Sequence, residues 1–156
     1  NLTSEHKKLI EINSILLQKK WCLAREWMSK EPNKMPEKIS EQYETLIAEA
    51  ICQNKKSPVI SFLMSVPVPG AGKCYTQDWL DGFLSLIIVG STGFQSYRGF
   101  SQKGINSVYG WIFAGLSAGF YGGNLYGSVA AAKRYNATIE KRHVEKVKEI
   151  IRNYNL

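Results

Sequence analysis

Residues 107–132 read SVYGWIFAGLSAGFYGGNLYGSVAAA, a run of 26 without a charge. About 20 apolar helical residues cross the hydrocarbon core of a bilayer, so the run is long enough to do so with some tilt. Its glycines are spaced rather than scattered. Gly115, Gly119, Gly123 and Gly127 recur every fourth residue, Ala131 continues the row, and Ala114, Ala118 and Gly122 form a second row. Small residues at that spacing let helix backbones approach closely, with dispersion and Cα–H contacts replacing side-chain packing. In water each glycine would cost a helix about 1 kcal/mol relative to alanine, so the run predicts a helix held by lipid or by tight packing. The expected partners are Gly90 and Gly93 of the preceding segment, and a second copy of the chain is the alternative. Asn124 is expected to hydrogen-bond across helices, and in lipid such a group is also a functional candidate.

Outward from this run, the charges are sharply partitioned. Between Gly82 and Ala132 only Arg98 and Lys103 are charged, and all 13 glycines lie between Gly70 and Gly127. Residues 79–97, WLDGFLSLIIVGSTGFQSY, form a second apolar stretch with a Trp at one end and a Tyr at the other. The two stretches predict a hairpin of spans at about 80–97 and 107–130. Ahead of them, Val59–Val68 is too short to cross alone and is broken by Pro67 and Pro69, so it reads as a re-entrant entry segment. The same stretch contains GAGK, as in a phosphate-binding loop. That loop needs an amide where Pro67 stands and a Mg²⁺-binding hydroxyl where Cys74 stands, so no nucleotide or metal cofactor is expected. Tyr75 and Trp79 suit the interface where the first span begins.

The remainder is charged and helical. Leu9, Ile12, Leu16, Leu23 and Trp27 share a face of a helix over 4–29, with Ile10, Leu17, Trp21 and Met28 beside it in a broad apolar stripe, and the helix ends at a turn bracketed by Pro32 and Pro36. A second helix, Glu37 to Gln53, turns Ile39, Tyr43, Leu46, Ile47 and Ile51 inward. Together they predict a hairpin of roughly tetratricopeptide size. The last segment is a basic amphipathic helix with Ile139, His143, Val147 and Ile150 along one side. The net charge of +7 suits an anionic partner, nucleic acid or lipid headgroups. A basic helix after an apolar span favours lipid, and no nucleic-acid partner is expected. Cys22, Cys52 and Cys74 lack metal-ligand spacing, and Cys22 and Cys52 are out of register, so free thiols are expected. His6 and His143 are expected to be solvated or half-buried, Asp78 and Asp81 to cap the helix near Trp79, and no catalytic set emerges. A removed signal peptide stays open, because the chain begins without Met.

Pro69-Gly70-Ala71-Gly72-x-x-Tyr75, Trp79-x-Asp81-Gly82, Tyr121-x-Gly123-Asn124-x-Tyr126-Gly127 and Asn136 resemble a poorly characterised family of bacterial envelope membrane proteins. The likeness covers about residues 58–136. The entry motif is also similar to the two-transmembrane domain family. Lys73 stands where that pattern usually has Gln, and Gln77 where it has Gly. The resemblance implies two apolar helices, often preceded by a signal peptide and tetratricopeptide-like helices, and no known catalytic activity.

The expected fold is therefore all-α: a helical hairpin over 1–56, an integral membrane unit over 57–132 and an amphipathic tail helix over 133–156. Gly115 and Gly119 join the motif residues as candidate packing positions. The expected function is a non-enzymatic, membrane-anchored scaffold or assembly factor of the bacterial envelope, in the inner membrane, with lipid and a protein as partners. The positive-inside rule puts both ends in the cytoplasm, whereas the resemblance puts the hairpin in the periplasm. A small oligomeric channel or transporter-like protein, built as a homo-oligomer, is one alternative. A soluble all-α interaction domain is another, supported by the mean hydropathy of −0.21.

Overall fold

Leu9, Ile12 and Leu16 recur at helical spacing, and in the computed structural model, which describes residues 4–30 and 35–154, all three are buried. Every regular element among the described residues is helical. These are α1 (Ser4–Leu17), α2 (Trp21–Lys30), α3 (Glu37–Ile51), α4 (Pro58–Ser65), α5 (Ala71–Tyr75), α6 (Trp79–Lys103) and α7 (Val108–Asn153), with a 3₁₀ turn at Gly104–Asn106. The chain divides into two units: Asn1–Asn54 with Ala137–Leu156, and Lys55–Asn136. The basic tail thus belongs with the N-terminal helices. It is also no separate helix, because nothing between Ala130 and Ala137 breaks α7.

In the first unit, the single helix expected over 4–29 is two. The Lys19 amide bonds to the Leu16 carbonyl at 3.0 Å and the Lys20 amide to the Ile15 carbonyl at 3.2 Å, with Lys19 at φ +61. That pattern is a Schellman end on a lysine, within the polar run Gln18-Lys19-Lys20. The break rotates the following turn. Trp21, Ala24 and Met28 face the core, whereas Leu23, expected inward with Trp27, is exposed and Trp27 only partly covered. Ile39, Tyr43, Leu46 and Ile47 of α3 are buried as their spacing predicts, with Ala50 in the place expected for Ile51. The turn expected around Pro32 lies outside the described residues. From α7, Val147 completes this core. Fully burying a side chain the size of Leu or Ile contributes about 1.5–3 kcal/mol, so the unit has an ordinary aqueous core.

His143 is buried, not solvated. A ring nitrogen lies 3.0 Å from the Ile139 carbonyl, so Nδ1–H donates to it, and the ring meets Trp21 edge-on at 5.9 Å. Lys146 and Glu49 pair at 2.6 Å, and Lys19 and Glu140 at 3.2 Å.

The second unit opens with Ser57, whose hydroxyl caps α4 ahead of Pro58. Pro67 and Pro69 follow α4, and Gly70, at φ +93, reverses the chain into α5. α6 and α7 form a hairpin closed at its loop end. A Cβ on Gly99 would lie 2.7 Å from the Gly110 backbone, Ser96 Oγ donates to the Gly110 carbonyl at 3.0 Å, and Phe100 meets Trp111 edge-on. The stretches expected at about 80–97 and 107–130 fall within α6 and α7. Among the described residues, however, no helix is long and apolar enough to cross a membrane. Glycine, serine, Gln95 and Asn124 dilute the apolar content of both helices.

The Tyr43 hydroxyl donates to Asn13 Oδ1 at 2.6 Å inside the first core, and burial pushes its pKa up to about 12. Unfolded, tyrosine ionises near 10. Between those values only the unfolded chain has lost the proton, so stability is fully present below about pH 10 and falls as pH rises towards 12. Tyr43→Phe should abolish that contribution. It should also lower the denaturation midpoint at pH 7, because leaving Asn13 unpaired costs roughly 1–3 kcal/mol. An unchanged midpoint and an unchanged alkaline decline would contradict this role.

Candidate functional site

The amides from Ala71 to Cys74, which follow Gly70 in the GAGKC stretch, are engaged within the protein. Ala71 N–H donates to the Val68 carbonyl at 3.1 Å, Gly72 N–H to Ser65 Oγ at 3.0 Å, and Lys73 and Cys74 N–H to the Gly70 carbonyl at 3.0 and 3.1 Å. These four amides are not free to cradle a phosphate. The Lys73 ammonium turns to Ser85 Oγ at 2.9 Å, and its chain runs past Gly127, where a Cβ would stand 3.2 Å from Cε. Gly127 leaves the room that this lysine occupies.

Behind the loop lies a buried hydroxyl network. Ser65 and Ser128 share a hydrogen bond of 2.6 Å, and Ser128 Oγ donates to the Asn124 carbonyl at 2.8 Å. Ser61 Oγ is 2.8 Å from both the Gly72 and Ser128 carbonyls and can donate to either. A Cβ on Gly72 would land on the Ser61 carbonyl oxygen, so α4 and α5 meet only because position 72 is glycine. Gly70 meets the Gly82 backbone in the same way, which fixes α5 against α6. The serines were not singled out by sequence reasoning. Their signal was there: Ser57, Ser61 and Ser65 recur every fourth residue through an otherwise apolar segment.

Asn124 corrects a second expectation. Its side chain is 4% exposed, yet neither Oδ1 nor Nδ2 has a partner among the described residues. The Tyr121 and Ser128 hydroxyls near it in the chain donate to carbonyls instead. Tyr121 and Asn136 do make long-range bonds. The Tyr121 hydroxyl donates to the Val66 carbonyl at 2.8 Å, and the Asn136 amide clasps Lys56 by accepting from its N–H and donating to its carbonyl, both at 2.8 Å. Asp78 precedes α6 but makes no capping bond, and its carboxylate faces Arg134 at 3.8 Å. Asp81 sits in the first turn of α6.

Eight of the candidate residues form two separate groups. Pro69, Gly70, Tyr75 and Gly82 line one groove, of about 570 Å³, whose other walls include Met64, Trp79, Phe83 and Leu86. Lys56, held by Asn136, sets its ammonium 4.5 Å from the centre of the Tyr75 ring. Gly115, Gly119, Gly123 and Tyr126 stand elsewhere. A Cβ on any of the three glycines would meet open space, and Tyr126 is exposed. Close packing of the glycine row against Gly90 and Gly93 is therefore not found. The row lies opposite the face of α7 that carries Asn124 and Ser128, and the tight approach of α6 to α7 is made by Gly99 and Gly110.

Gly72→Ala should unfold or loosen the second unit, seen as faster amide exchange in α4 and α5. Gly119→Ala should leave exchange unchanged or slow it, by up to about 1 kcal/mol in helix propensity. Equal effects would contradict the placement. Among the described residues no group of His, Cys, Asp or Glu is arranged to hold a metal. The three cysteines are free thiols. Compared with known proteins, the chain matches no family, no curated protein and no solved structure.

Proposed function

We propose that the protein is a membrane-anchored scaffold or assembly factor, with residues 55–136 as its lipid-embedded part and the N-terminal helices with the tail as the part that binds a protein partner. The observation that carries the reading is the inverted polarity of the second unit. Its buried residues are Ser61, Ser65, Ser96, Ser107, Ser128 and Asn124 together with Thr76 and glycines, and its only buried apolar residues are Ala131 and Ala132, among those described. Its outer face carries Val59 at 66% exposure, Leu80 at 74%, Phe83 at 63% and Trp111 at 58%. Water drives the opposite arrangement, and an apolar exterior of this extent marks a surface that meets lipid or protein. Inside lipid, association rests on small residues and hydrogen bonds, which is what this unit buries.

The unit enters lipid as one packed body rather than as two independently inserting spans. The resemblance of the entry and Asn124 motifs supports a bacterial envelope setting and a non-enzymatic role. A second reading, a homo-oligomer of channel or transporter type, is favoured by one observation, the outward-facing row Gly115, Gly119 and Gly123.

Alkaline carbonate washing of membranes from expressing cells tests the anchor. The protein should stay in the pellet and leave it only with detergent. Release by carbonate would sink the membrane reading. Crosslinking of the detergent extract then separates the two roles: a ladder of homo-oligomers favours the second reading, and a heterologous adduct the first.

A further inference from the structure

The groove beside α5 is walled by Met64, Val68, Trp79, Phe83 and Leu86, with Tyr75 at one side. Its volume, about 570 Å³, lies within the roughly 300–1,000 Å³ usual for ligand sites. The backbone amides from Ala71 to Cys74 are engaged internally, so none of these four can fix a peptide edge or a compact polar ligand. Its walls are apolar, and Lys56, which is not one of them, adjoins it through the Tyr75 ring. Lys56 is half-buried, its ammonium rests on the Tyr75 ring, and no described carboxylate lies within 4 Å of it. Cation–π contact leaves the outer hydrogens of the ammonium free to bind an anion. Asp78 adjoins Trp79 in the chain, but Arg134 faces its carboxylate and offsets its charge.

We propose that this groove holds one acyl chain of an anionic phospholipid, with the headgroup phosphate at Lys56. The inference rests on the membrane reading above and gives that membrane unit a specific lipid. The charge is complementary to phosphate, and the walls are complementary to a hydrocarbon chain. A zwitterionic lipid would bring its own ammonium against Lys56 and bind less well. Asn136 acts as a positioning residue, since its two bonds to the Lys56 backbone set where the lysine begins.

The test uses the full chain reconstituted in phosphatidylcholine vesicles that contain a phosphatidylglycerol with a diazirine at mid-chain. The same diazirine on phosphatidylcholine is the comparison, and labelled peptides are mapped by mass spectrometry. Groove peptides bearing Met64 and Phe83 should take the phosphatidylglycerol label about fivefold more, the preference expected of one cation near an anionic headgroup. Lys56→Gln should erase that excess and Lys56→Arg should keep it. Both leave the Asn136 clasp intact, because it is made with the backbone. If no excess appears, or if it survives Lys56→Gln, while the exposed faces of α6 and α7 are still labelled, the lipid site is wrong and the membrane reading stands. If no part of residues 55–136 is labelled by either lipid, the membrane reading fails and this inference with it.

Discussion

A side chain on Gly72 would collide with the Ser61 carbonyl, and that exclusion is the constraint on which the second unit depends. With the β-carbon absent, Ser61 and Ser65 of α4 reach the Gly72 backbone directly, and Ser128 of α7 joins them. Three helices are thereby tied by hydroxyls to one glycine. One of these ties, from Ser65 Oγ, takes the Gly72 amide, and backbone carbonyls take those of Ala71, Lys73 and Cys74, which removes most of the phosphate cradle that GAGK advertises. Beside them Gly70 packs on the Gly82 backbone, and most of the entry motif gathers in the groove that both line.

On the proposed reading, lipid is the solvent that suits such a centre. Neutral hydrogen bonds contribute only about 0.5–1.5 kcal/mol net in water, where the unfolded groups are already hydrated. The first unit does not rely on them, because Leu, Ile and Trp side chains fill its interior. The second buries almost no large apolar side chain and exposes many. In lipid its outer face loses its penalty, and unfolding would expose backbone groups with nothing to bond. On the proposed reading, one chain carries two units suited to different surroundings.

Much of the fold was legible in the sequence. Periodicity located α3 and the buried face of α1, the two apolar stretches located α6 and the first part of α7, and Pro67 and Pro69 marked the end of α4. The break at Lys19 was hidden, because it is a Schellman end without glycine, and it turned Leu23 outward and Trp21 inward. The continuity of α7 was hidden too, since the change from apolar to basic at Lys133 alters the face of a helix without ending it. At the site, the motif pointed to Pro69, Gly70, Tyr75 and Gly82 but said nothing of Lys56, which lies 80 residues from the Asn136 that holds it. The glycine row misled for a physical reason. Spacing reports which residues share a helix face, not which way that face points, and here it points outward.

The central claim is that the apolar face of residues 55–136 meets hydrocarbon. Spin labels placed singly at Leu80, Leu84 and Ile88 in a cysteine-free background, with the protein in lipid vesicles, read this directly through collision with oxygen and with a polar nickel chelate. Oxygen concentrates in hydrocarbon and the chelate in water. The account predicts high oxygen and low chelate accessibility at all three positions, against the reverse for a label at Glu41 in the first unit. Chelate accessibility at Leu80, Leu84 and Ile88 equal to that at Glu41 would contradict it.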